Sequence, residues 1–112
     1  MSKVGDNHQQ AMVLAEQAFV ARRQQSMDLA RTLTHQAYLL EKQAAVQSQT
    51  EPSRSVLHRS AATLALNCGE YREAERLATT ALAGNPPEPI ATELREVLIA
   101  VYTTWNWREE AM

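Results

Sequence analysis

The segment Asn67-Cys68-Gly69-Glu70-Tyr71-Arg72-Glu73-Ala74-Glu75 constrains this chain more than any other. A glycine between two runs of helix formers lets the first helix end in a left-handed residue. Tyr71 begins the packing of the next helix, and Ala74 is small enough for two helices to approach closely. Downstream, Ala81 and Leu82 extend the apolar stripe until Asn85-Pro86-Pro87 stops it. The stretch reads as the tight turn of an α-helical hairpin.

The rest of the chain agrees with a helical fold. Ala, Leu, Gln, Glu and Arg dominate, with 3 Gly and 4 Pro in 112 residues. Runs of β-branched and aromatic residues are missing, which argues against strands. The length suits one domain that buries roughly two-thirds of its unfolded surface. The formal charge of -2, from 11 basic and 13 acidic residues, disfavours nucleic acid as a partner. Cys68 is the only cysteine, so no intramolecular disulfide or all-cysteine metal site is available. No apolar run reaches signal-peptide length at the N-terminus, and none approaches the roughly 20 residues of a membrane span. The expectation is a cytoplasmic chain without a membrane partner. Its stop at Met112, a few residues past the last helix, fits a complete chain.

Periodicity predicts five helices. Residues 1–6 are polar and expected to fray. Residues 7–48 hold helices one and two, with apolar stripes Leu14, Ala18, Ala21 and then Ala30, Leu33, Ala37, Leu40, Ala44. A turn is expected near Gln24–Ser26, with Ser26 as N-cap and Asp28 in the first turn. After a loop around Pro52, residues 54–84 form the hairpin, closed by Gly84 in a left-handed conformation. Pro89 opens a fifth helix over 89–107, whose stripe is Ile90, Leu94, Val97, Leu98, Val101, Tyr102 and Trp105.

The spacing of Gly69, Tyr71, Ala74, Ala81 and Pro86 resembles a tetratricopeptide repeat, a helix-turn-helix unit of 34 residues, over about 55–88. Ala62 fits upstream; Ala61, His58 and Ala65 stand where the family has larger or aromatic residues. A second, degenerate copy aligns Ala18 with Ala62, Met27 with Tyr71, Ala30 with Ala74 and Ala37 with Ala81, with Gln25 replacing the glycine and Lys42 the proline. The resemblance implies a right-handed stack of antiparallel hairpins with helix five as its cap. It also implies a groove, lined by the first helix of each repeat, that binds a peptide or partner protein. Carried over by position, that groove comprises Val56, Arg59, Thr63, Leu66 and Asn67, with Met12, Ala15, Phe19, Arg22 and Arg23 from the earlier copy. Its arginines suit a carboxylate.

The remaining chemistry-bearing residues have plain structural readings. His8, His35 and His58 share no metal-ligand spacing. Cys68 reads as a packing residue, and Glu70, Glu73 and Glu75 as a solvated face at a helix start. No phosphate loop, nucleophile elbow or paired-histidine zinc helix is present. No cofactor, metal or enzymatic activity is expected. Trp105 and Trp107 point about 200° apart on a helix, so one of them is a candidate contact patch. Two functions are compatible with these features: an interaction module or scaffold that binds through the groove, or a homodimer joined through helices one and two or through the Trp end.

Overall fold

Two backbone turns set the architecture. In the turn between residues 65 and 70, the Gly69 N–H donates to Leu66 O at 3.1 Å and the Glu70 N–H to Ala65 O at 2.8 Å, with Gly69 at φ +87°. This pair of bonds is the Schellman closure of a helix. The same pair occurs 44 residues earlier, where Gln25 donates to Arg22 O and Ser26 to Ala21 O, both at 2.9 Å. There Gln25 itself adopts the left-handed conformation, at φ +63°. Burial keeps the same register: Ala18 and Ala62, Ala21 and Ala65, Ala30 and Ala74, and Ala37 and Ala81 are all buried. Two hairpins thus repeat one design.

The computed structural model describes residues 3–111, and side chains as far as Asn106. The fold is all-α: α1 (Lys3–Arg23), α2 (Met27–Gln47), α3 (Ser53–Asn67), α4 (Tyr71–Leu82) and α5 (Glu88–Ala111). No strand occurs among the described residues. Each helix packs on the next, and α5 also lies against α3. The extents are 38 × 34 × 19 Å. The shortest is about two helix diameters of roughly 10 Å, so the helices lie in two layers. The arrangement is compatible with a helical repeat. The main core joins Tyr38 of α2 to Ala61, Ala62 and Ala65 of α3, Ala74, Leu77, Ala78 and Ala81 of α4, and Leu94 and Val101 of α5.

Several local expectations are corrected. Residues 3–6 are helical rather than frayed, because Val4 packs on Ala44, Ala45 and Leu57 where α1, α2 and α3 meet. Ser26 occupies the N-cap position of α2 without a side-chain cap bond. Gly84 is not left-handed; α4 ends through an α-region residue, Ala83, and the Gly84 N–H donates to Ala81 O at 3.0 Å. What Gly84 supplies is space, since a Cβ there would collide with the Arg54 guanidinium. In α5, Tyr102 is exposed, and its hydroxyl donates to Glu75 at 2.7 Å.

α1 is fastened to α2 by a hydrogen-bonded pair of side chains. The Glu41 side chain is fully buried, and its two oxygens lie 2.9 and 3.0 Å from His8 Nδ1. Removing the donor leaves the buried Glu41 side chain with an unsatisfied polar group. His8→Ala is therefore expected to destabilise the fold by about 1–2 kcal/mol, and His8→Ala with Glu41→Leu to regain most of that loss. Urea unfolding of the single and double variants measures both.

Candidate protein-binding faces

A shallow depression runs between α3 and α5. Arg59, Thr63 and Leu66 of α3 form one wall, and Glu93, Glu96, Val97 and Ala100 of α5 the other. α5 is held there by its own periodicity, which turns Ala91, Leu94 and Val101 inward and leaves Glu93 and Glu96 on the open side. Arg59 donates to the Glu93 carboxylate across the depression. The Thr63 hydroxyl donates to Arg59 O at 3.0 Å, within its own helix.

Three of the ten sequence-predicted groove residues are thus gathered in one place, and seven are not. Asn67 is exposed at the end of α3 and does not line the depression. Phe19, Arg22 and Arg23 lie on α1, whose packing partner is α2. Phe19 is 54% exposed, with the Arg23 guanidinium 5.9 Å from its ring centroid. Met12, also on α1, is exposed, and Ala15 and Val56 are half-buried. Because Arg59 is already paired with Glu93 and flanked by Glu96, the depression carries one cationic and two anionic side chains. That balance suits a basic or neutral segment better than the carboxylate its arginine first suggests.

The tryptophan end is partly committed to packing. The Trp105 ring stacks on Tyr71 with centroids 6.2 Å apart, and the Arg72 guanidinium sits 4.8 Å from its centroid. Trp105 therefore fastens α5 to the start of α4. The Trp107 side chain lies outside the described residues.

Glu73, read from sequence as part of a solvated face, is a junction between hairpins. It accepts from Lys42 Nζ at 2.6 Å, from the Tyr38 hydroxyl at 3.3 Å, and from Arg76 within α4. The Lys42 hydrogen bond holds the Glu73 carboxyl below its usual range. Tyr38 is raised by burial and Lys42 by its bond to Glu73. Sequence reasoning missed this site because Lys42 and Tyr38 sit more than thirty residues away and carry no motif. The register offers one signal: Lys42 is the residue found where the repeat has proline.

The histidines and the cysteine are accounted for locally. The His58 Nδ1–H donates to Arg54 O at 2.7 Å, and burial pushes its pKa below the ordinary value. The Cys68 thiol points to Ala65 O at 3.5 Å, and burial raises its pKa. His35 Nε2 lies 3.9 Å from Glu70. Among the described residues no three His, Cys, Asp or Glu converge on a common point, and no helix is long and apolar enough to cross a membrane.

A second open surface lies at the outer side of α1 and α2. Val13, Gln17, Val20, Leu29 and Leu33 form its floor, with Gln10 and Gln24 along its edge.

The surroundings of His58 and Glu73 imply a pH dependence of stability. Folding favours neutral His58, so its contribution is complete above pH 6.5 and declines below it, as the unfolded chain takes up the proton first. Folding favours ionised Glu73, which contributes above pH 4.5 and loses that contribution as pH falls through its lower folded value. The urea midpoint should fall in both ranges. His58→Gln should flatten the upper one, and Glu73→Gln the lower.

Comparison with protein-family models, curated proteins and solved structures finds no match for this chain, so the case for function rests on these faces.

Proposed function

We propose that this chain is a non-catalytic protein-interaction module that binds an extended segment of a partner along the depression between α3 and α5. One observation supports the reading. Arg59 bonds Glu93 across the depression, 34 positions on, and the other α3 lining residues, Thr63 and Leu66, have lining residues of α5 at the same interval, Val97 and Ala100. A 34-residue interval is the period of the tetratricopeptide repeat, and in that family the first helices of successive repeats line the binding groove. On this reading α5 serves as the first helix of a further repeat as well as a cap.

The lining sets the chemistry of the partner. Leu66, Val97 and Ala100 accept small apolar side chains, and Glu93 and Glu96 accept a lysine or arginine. The protein acts by preformed shape, with no cofactor and no chemical step.

A peptide array probed with the purified protein tests this. Bound peptides should be enriched in basic and small apolar residues. Binding should fall at least about tenfold in Ala100→Arg, which fills the depression with a cation, and should persist in Val46→Glu on the exposed side of α2. Enrichment in acidic peptides, or indifference to Ala100→Arg in a variant of unchanged helicity, would contradict the reading.

A further inference from the structure

The two carboxylates on the α5 wall of the depression are not equivalent. Glu93 already accepts from Arg59 Nη1 through its Oε2. Glu96, one turn along the same wall, is exposed and has no ion pair or side-chain hydrogen bond among the described residues. The other lining residues, Thr63, Leu66, Val97 and Ala100, carry no charge. One cation thus faces two anions, and the surplus is negative.

The Arg59–Glu93 pair is suited to exchange. One nitrogen meets one oxygen, where a guanidinium can give a carboxylate two parallel bonds. The two side chains are 29% and 48% exposed, and an ion pair so open to water contributes little to folding. Nor does α5 depend on it. Buried Ala91, Leu94 and Val101 and the stacking of Trp105 on Tyr71 dock that helix. The Lys42–Glu73 junction is the contrast: Glu73 is 20% exposed and accepts from three donors.

We infer that Arg59 is a built-in competitor for the depression. Its guanidinium holds on Glu93 the place that a basic side chain of a bound segment takes, while Glu96 stays free to draw that segment in. This rests on the peptide-binding reading above and deepens it, because it names the residue that sets the threshold for binding. A segment with one basic residue pairs with Glu96 and leaves the internal pair intact. A segment with a second basic residue displaces Arg59. Glu93 and Ala100 lie about 10 Å apart along α5, the reach of roughly three residues of an extended segment. The matching segment therefore places a basic and a small apolar residue about three positions apart. If Arg59 were instead a ligand for a partner's carboxylate, its removal would lower affinity; here removal raises it.

Fluorescence anisotropy of the full chain with a labelled peptide of alternating lysine and alanine tests this. Arg59→Gln should bind the peptide about threefold to fivefold more tightly than wild type, the gain from no longer having to break a surface ion pair. Glu93→Gln should weaken binding, and adding Arg59→Gln to it should restore none of the loss beyond the effect of Arg95→Gln. That control removes an equal charge from a pair with Glu88, outside the depression. If the peptide binds and is lost in Ala100→Arg, but Arg59→Gln leaves binding unchanged or weaker, the depression stands and the competitor role is overturned. A gain in Arg59→Gln that Arg95→Gln matches also overturns it, since net charge then accounts for the effect. If the peptide binds neither wild type nor Arg59→Gln, or ignores Ala100→Arg, the peptide-binding reading fails and takes the competitor role with it. Should Arg59→Gln lose helicity, Arg59→Met keeps the aliphatic stem and gives the same comparison.

Discussion

Close approach of helices through alanine is the constraint on which the structure depends. Buried alanines line the helix contacts: Ala11, Ala18 and Ala21 on α1, Ala30, Ala37 and Ala44 on α2, Ala61, Ala62 and Ala65 on α3, and Ala74, Ala78 and Ala81 on α4. Methyl side chains allow helix axes to come within about 8 Å. Each such contact buries little area, so no single alanine contributes much hydrophobic stabilisation. Larger residues fill the seams between hairpins: Leu57, Leu77, Leu94, Val101 and Tyr38. The division of labour explains why the molecule is two layers thick. It also explains why the large apolar residues gather at boundaries between units, one of which stays open among the described residues.

Much of this was legible in the sequence. Gly69, Tyr71, Ala74 and Ala81 define a hairpin because a left-handed residue and small contact residues have few substitutes. The register of the first hairpin was legible too, although Gln25 hides the turn: the alanines at 18, 30 and 37 keep their spacing. What could not be read were the contacts whose partners are far apart in the chain. The His8–Glu41 contact, the Lys42–Tyr38–Glu73 junction and the Arg59–Glu93 pair each join side chains over thirty residues apart, and any of those residues alone reads as surface. Gly84 illustrates the opposite error. A glycine after a helix suggested a left-handed backbone, whereas Gly84 is not left-handed and the Arg54 guanidinium lies in the space a Cβ would take.

The two candidate faces have different origins. The depression between α3 and α5 forms because α5 sits beside α3 at one repeat interval, and its character is set by the charges on α5 rather than by the arginine on α3. The outer surface of α1 and α2 stands open, with Val13, Val20 and Leu29 exposed on it. One face is made by the docking of α5, and the other by the outer side of the first hairpin. They share no residue, so a variant that alters one leaves the other in place.

The central claim is that the two hairpins are the same unit, with equivalent turns. Grafting tests it most directly: residues 22–26 are replaced by the residues at 66–70, so that Gln25 becomes glycine and its neighbours change with it. The account predicts a cooperatively folded variant at least as stable as the parent in urea, with a gain of about 1 kcal/mol from relieving the left-handed glutamine. A loss of cooperativity, or of more than about 2 kcal/mol, would show that the turns are not interchangeable and that the shared register is coincidental.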